Sequence, residues 1–342
     1  MCQQRILVHE QCAGTKQAAI LRSGVGPTVI RAMQLLVPFA SSLSQGCVHA
    51  LRGVELPHLC RLLARFSPTV RDTGDEHSFS PPHERALAAA LGWQGADGCL
   101  PWAARQAAAD RVDTGSHAWG LLTPAHLRVA TDHVSLVDPA ELALDEASSR
   151  ALLEAVRSTF ESEGWLIVYA SPLRWYAAHE TLRDLPCAAI DRVIGRNVDI
   201  WMPPDPRVKL IRRMQSEVQM LFYNHPCNDE RATRGELFVN SFWLSGCGVR
   251  QPENATPDVL LDDTLRAPAL AQDWGAWSEA WSALDAGPIR ALLASAERGQ
   301  PAALSLCGER SAQRFDALPQ SAWARLTRGW RKPAVAPLLE SL

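Results

Sequence analysis

Lysine is almost missing from this chain. Of its 34 basic residues only Lys16, Lys209 and Lys332 are lysines, a scarcity that reflects coding composition rather than a selected arginine surface. Long runs of one charge are missing too: 34 basic residues stand against 37 acidic ones for a formal net charge of -3. That excludes a nucleic-acid-binding arm or an acidic tail and argues against nucleic acid and anionic membrane as partners. No window reaches the roughly eighteen uninterrupted apolar residues that a membrane-spanning helix needs. The nine cysteines, from Cys2 to Cys307, show no C-x-x-C or zinc-ribbon spacing, and their odd number excludes a complete intrachain disulfide framework. They read as reduced, mostly buried thiols of a cytoplasmic protein, with no local nucleophile motif. Residues 1–32 lack a clean apolar core and a small-residue cleavage site, so they read as a tail or an upstream mis-start rather than a signal peptide. Internal repeats and low-complexity tracts are also missing.

What is present is enough hydrophobic sequence, 47% of 342 residues, to bury a sizeable core. Met33 opens the apolar run MQLLVPFA, which reads as a first buried strand. Leu56–Phe66 then places Leu59, Leu62, Leu63 and Phe66 at helical spacing. Ser80-Pro81 predicts a helix start with a capping hydroxyl, and Gly92 its stop. Short strands are expected at Ala118–Leu122 and Leu127–Asp138, around Pro124. Asp145–Glu163 is an amphipathic helix with Leu152, Leu153, Val156 and Phe160 inside, followed by the strand WLIVYA. A further helix is expected over Arg207–Tyr223, then a loop Asn224–Glu236 and a strand Val239–Ser245. In the remainder, Trp274, Trp277 and Trp281 form a buried helical stripe. Pro301–Gly308 is a late strand and Ser321–Trp330 a last short helix. The order of elements predicts an α/β fold on a mixed, mainly parallel sheet flanked by helices. Residues 33–248 would form the core domain, and 249–342 an irregular Trp-rich part packed on it.

The segment MQSEVQMLFYNHPCND (Met214–Asp229) and the following NSFWLSGCG (Asn240–Gly248) resemble a bacterial family of Rpf-type regulatory proteins, commonly labelled cofactor-independent phosphoglycerate mutases. GDEHSFSPPHERALA (Gly74–Ala88) and ATDHVSLVDP (Ala130–Pro139) are similar to the same family. The mutase label rests on Asn240, Trp243, Gly246 and Gly248, which resemble a short motif of the alkaline phosphatase superfamily. Such an enzyme implies two divalent metals held by Asp and His side chains, with a Ser or Thr nucleophile. This chain departs from that pattern. Its first strand ends Pro38-Phe39-Ala40-Ser41 without an acid, and Ser245 stands where an aromatic is common.

Read by their own chemistry, Glu217 and His225 are candidates for an acid–base pair, with Asn228 beside them, or for ligands of a hard cation. The alternative is a helix-to-loop hydrogen-bond network around Pro226. Arg231 and Arg234 near Asn240, Ser241 and the Gly246/Gly248 pair suit an anionic group, or else form a strand-end turn with surface arginines. Asp132 and His133 are weaker metal candidates. Asp75, Glu76, His77, His83 and Glu84 form another titratable cluster, explicable by capping and the helix dipole. The leading expectation is a phosphoglycerate-mutase-like regulatory protein that binds a small anionic ligand or a protein partner without turnover. The alternatives are a metal-dependent phosphoryl-transfer enzyme and a protein-interaction module without a ligand pocket. Convergence of Glu217, His225, Arg234 and Asn240 on one cavity would support the ligand site.

Overall fold

The computed structural model describes residues 33–253, 259–317 and 333–342. Its first strand, β1 (Met33–Val37), is buried from Gln34 onward. Helix α1 (Gln45–Leu51) starts where the Ser44 hydroxyl accepts a hydrogen bond from the Cys47 amide at 3.1 Å. Helix α2 (Pro57–Leu63) buries Leu59, Leu62 and Leu63. The chain then turns straight into β2 (Phe66–Thr73), a strand that the helical spacing through Phe66 concealed. Helix α3 (Pro82–Leu91) ends at Gly92, whose φ of 77° is the left-handed stop expected of it. At its start Pro81, not Ser80, is the cap, and the Ser80 hydroxyl accepts from the Gly98 amide at 2.9 Å instead.

After α4 (Trp102–Ala109) come β3 (Ala118–Ala125) and the hairpin β4 (Leu127–Val129) and β5 (Val134–Leu136). Helix α5 (Glu146–Ser162) is capped by Asp145, which accepts from the Ser148 amide at 2.8 Å. Its Leu152, Leu153, Val156 and Phe160 are all buried, contributing roughly 1.5–3 kcal/mol apiece. Strands β6 (Leu166–Ser171) and β7 (Arg174–Ala178) follow as a hairpin, then the single turn α6 (Ile190–Val193). Helix α7 (Val208–Tyr223) buries Ile211, Met214, Val218 and Phe222 and leaves Leu221 exposed. The expected loop Asn224–Glu236 contains a further helix, α8 (Pro226–Thr233), whose Pro at the first position and few apolar residues disguise it. Strand β8 is Ser241–Val249. Beyond it lie β9 (Val259–Leu261), α9 (Arg266–Leu270) and α10 (Trp274–Leu284). A wider turn at Asp285–Ile289 around Pro288 leads into α11 (Arg290–Glu297). Trp277 and Trp281 are buried as the stripe required, and Trp274 is half-buried. The last elements described are β10 (Ala302–Cys307), β11 (Ser311–Ala317) and a short helix at Val335–Glu340. The helix expected at Ser321–Trp330 and the tail 1–32 lie outside the described residues.

The fold is α/β. Its mixed sheet runs β2-β11-β10-β1-β9, and its centre is parallel: β1 pairs in parallel with both β10 and β9. Strands β11 and β2 extend it antiparallel on one side. Pro68, which cannot donate to a ladder, lies in the edge strand β2. The segment after residue 249 supplies β9, β10 and β11 of this sheet. A second sheet, β6-β7-β3-β8, is wholly antiparallel, which the order of elements does not predict. A helix followed by an apolar strand reads alike in both layers, but the two-residue link from β6 to β7 permits only an antiparallel pair. One core lies on the mixed sheet around Leu35, Leu304, Trp277 and Trp281, and another on the second sheet around Leu152, Phe160, Met214 and Phe242. Among the described residues no helix is long and apolar enough to cross a membrane.

Candidate functional site

The residues singled out from the sequence are engaged by separate local partners, with Arg231 and Arg234 meeting at Glu236. Glu217 lies on the exposed side of α7, 3.7 Å from Arg213. His225 caps α8, its Nδ1 accepting from the Cys227 amide at 3.2 Å. Asn228 is buried: its amide donates to the carbonyls of Phe222 (2.8 Å) and Val239 (2.7 Å) and accepts from the Val239 amide at 2.9 Å. Arg231, only 1% exposed, donates to the Leu237 carbonyl at 2.8 Å and to that of Leu142, and pairs with Glu236 at 3.3 Å. Arg234 is exposed and pairs with the same Glu236 at 2.8 Å. Asn240 accepts from the Leu127 amide and donates to the Leu127 carbonyl, at 2.7 and 2.9 Å, anchoring β4. Ser241 is buried in β8. Asp132 and His133 face each other at 2.7 Å in the exposed hairpin loop. Where the sequence suggested a ligand, this segment spends its polar atoms on backbone and on ion pairs.

Gly246 and Gly248 serve packing. Between the Trp119–Gly248 and Leu121–Ser245 pairs, β8 carries one residue more than β3, which makes a bulge. Gly246 sits in it at φ 64°, and a Cβ there would come 2.8 Å from the Ala103 amide nitrogen. The missing side chains let α4 lie directly on β8.

Titratable groups gather elsewhere, in a crevice outside the carboxyl ends of β1 and β10, the place where open α/β sheets bind ligands. A cavity of about 70 Å³ there is lined by Phe39, Ser41, Ser42, His83, Arg192, Arg196 and Glu309, among others. Phe39, just past β1, has φ 56°, a strained conformation for a residue with a side chain and of the kind found at functional sites. Asp191 and Arg192 come from α6, a single turn inside the apolar stretch CAAIDRVIG.

The charged groups in this crevice are unevenly partnered. Asp191 accepts from Arg266 Nε at 2.9 Å and lies 3.5 Å from His83 Nε2. Burial pushes its carboxyl up, but His83 and Arg266 outweigh burial and bring it down to about 2. The Glu309 carboxylate accepts from Arg196 at 2.5 Å, from the Ser42 hydroxyl at 3.0 Å and from the Leu43 amide at 2.9 Å. These donors hold it below the usual carboxylate range despite burial. Arg192 has no carboxylate partner among the described residues. It is 3% exposed, its Nη1 donates to the Glu309 carbonyl at 2.8 Å and its Nη2 to the Asp75 carbonyl at 3.4 Å, and its Nε has no acceptor. Burial, followed by the charges of Arg196 and Arg85, lowers its guanidinium to about 10. Arg196 therefore holds the Glu309 carboxylate and Arg266 the Asp191 carboxylate, and Arg192 is left with main-chain carbonyls.

A pair of divalent metals does not fit this donor set. Both carboxylates are engaged by guanidinium groups, which would repel a cation, and β1 is followed by serines rather than an acid. Among the described residues no three His, Cys, Asp or Glu side chains are grouped as metal ligands would be. Of the titratable residues lining this crevice, the sequence marks His83 alone, within a cluster explicable by capping. A usable signal was there: an Asp-Arg pair inside an apolar run, and a Gly-Glu closing the apolar strand before β11. Charges in such places are buried, and buried charges need partners.

No family model and no curated protein matches the chain. Among solved structures it is similar to the cofactor-independent phosphoglycerate mutase from Thermoplasma acidophilum DSM 1728, at 13% identity and a TM-score of 0.35, covering 84% of this chain and 89% of that one. It is also similar to the PH0037 protein from Pyrococcus horikoshii, at 11% identity and a TM-score of 0.43, covering 84% of this chain and 87% of that one.

Proposed function

We propose that this chain binds a small oxyanion, a phosphate or a carboxylate, in the crevice at the carboxyl ends of β1 and β10, and that it does so without turnover. The observation that carries this reading is Arg192: a buried guanidinium with an unpartnered Nε and, among the described residues, no carboxylate partner, next to a second guanidinium whose Glu309 partner is also held by the Leu43 amide. A buried cation lacking an anion is stabilised by acquiring one. The ligand class matches the expectation drawn from the sequence, while its place moves from the Arg231–Gly248 segment to Arg192 and Arg196. A regulatory role fits a protein that senses such a ligand.

Isothermal titration with inorganic phosphate and with 3-phosphoglycerate, the substrate class that the sequence resemblance suggests, tests the reading. Binding to the wild type that falls at least tenfold in Arg192→Met supports it. Absence of binding, or equal binding by both proteins, overturns it. Manganese-dependent mutase or phosphatase turnover that is lost in Arg192→Met would replace the binding role with a catalytic one.

A further inference from the structure

The donors around Glu309 form an oxyanion site in their own right. A serine hydroxyl, a main-chain amide and a guanidinium converge on one carboxylate: Ser42 Oγ at 3.0 Å, Leu43 N at 2.9 Å and Arg196 at 2.5 Å. Hydroxyl, amide and guanidinium together make the donor set that phosphates and carboxylates find in binding sites. Here the anion is supplied by the chain itself. Glu309 lies in the tight turn between β10 and β11, where Gly308 N donates to Ser311 O at 2.9 Å. The bonds of its side chain run to Ser42, Leu43 and Arg196, so releasing them breaks no hydrogen bond of either strand. Arg192, whose Nε is without an acceptor, adjoins this arrangement, because its Nη1 donates to the carbonyl of the same Glu309. One half of the crevice is thus filled by a protein carboxylate, and the other half holds a guanidinium with donors to spare.

Building on the anion-binding reading above, we propose that Glu309 is a resident anion of this site, which holds the Ser42, Leu43 and Arg196 donors in the free protein and is displaced by the incoming oxyanion. Two consequences follow. The ligand bridges Arg192 and Arg196, so an oxyanion with several acceptor oxygens is favoured over one with few. Glu309 weakens binding by competition and by like charge, so removing its charge strengthens binding. A residue that merely positioned Arg196 would have the opposite effect.

The test is calorimetric titration of inorganic phosphate into wild type, Glu309→Gln, Glu309→Asp and the double variant Glu309→Gln/Arg192→Met. Phosphate is expected to bind Glu309→Gln about tenfold tighter than wild type, with Glu309→Asp in between, because its shorter arm reaches the three donors less well. The gain should vanish in the double variant. Equal or weaker binding by Glu309→Gln overturns the proposal, as does a gain that survives loss of Arg192. If Glu309→Gln does not fold, Glu309→Asp decides: tighter binding supports displacement, and equal or weaker binding refutes it. Phosphate binding by wild type without a gain in Glu309→Gln would leave the anion site standing and remove only the role given to Glu309. Binding by Glu309→Gln alone would keep displacement and overturn the wild type as a binder at the concentrations used. No binding by either protein overturns both.

Discussion

Replacing Arg192 by Met should hardly change the stability of the ligand-free protein, although the residue is 3% exposed. A fall from an ordinary value of roughly 12.5 to about 10 means that the fold disfavours the guanidinium by on the order of 3 kcal/mol. The folded value lies below the unfolded one, so this cost is fully present below about pH 10 and is relieved only as pH rises further. It is offset by one good hydrogen bond, to the Glu309 carbonyl at 2.8 Å, and one long one, to Asp75 at 3.4 Å. Bonds from a charged donor contribute about 1.5–3 kcal/mol when well formed. Gain and loss then nearly cancel, and Met keeps the apolar stem, so the expected change is within about 1 kcal/mol.

Arg231 is the control. It is as deeply buried, but two carbonyls and the Glu236 carboxylate satisfy it. Arg231→Met should therefore cost roughly 3 kcal/mol. Urea unfolding of both variants, without phosphate and with phosphate at about 100 times its dissociation constant, is the assay. At that excess the wild type should gain about 2.7 kcal/mol and Arg192→Met almost nothing. If Arg192→Met without ligand loses as much as Arg231→Met, the charge of Arg192 is already satisfied and the argument for an anion fails.

Asn228→Ala should lose about 3 kcal/mol in urea unfolding, because it removes three hydrogen bonds from buried main-chain groups of Phe222 and Val239; a loss under about 1 kcal/mol would return Asn228 to the list of ligand-binding candidates. Gly246→Ala should lower the melting temperature, by about 2 kcal/mol or more in stability, since its Cβ would meet the Ala103 amide nitrogen at 2.8 Å and its φ is 64°. Unchanged melting would show that α4 does not depend on that close approach. Burial, with the Asp191 charge beside it, raises the Glu84 carboxyl to about 8. Its folded value exceeds the unfolded one, so its contribution is full below about pH 4.5 and is lost as pH rises to about 8. Wild-type stability should thus fall across that window relative to Glu84→Gln, by on the order of 2 kcal/mol given partial solvent access; parallel pH profiles of the two proteins would refute this.

The amphipathic helices α5 and α7, the Trp277/Trp281 stripe and the strands β1 and β10 were legible in the sequence, because a spacing of 3.6 residues or a short apolar run is a local property that burial enforces. The α/β class followed from their order. The strand β2 behind an apparently helical Phe66, the helix α8 inside an expected loop, and the antiparallel second sheet were not legible, since each depends on which neighbour the segment finds. The site shows the same division. Residue types suited to an anion were visible in Arg231, Arg234 and Asn240, but tertiary structure turned their polar atoms onto carbonyls and Glu236. The residues that gather at the crevice come from positions 39–42, 83, 191–196 and 309, too far apart in sequence for any spacing to connect. The sequence by itself determined most of the elements and, through their order, the α/β class. Only the parallel pairing of β1 with β10, which brings their carboxyl ends to one edge, decided that Arg192, Arg196 and Glu309 would meet there.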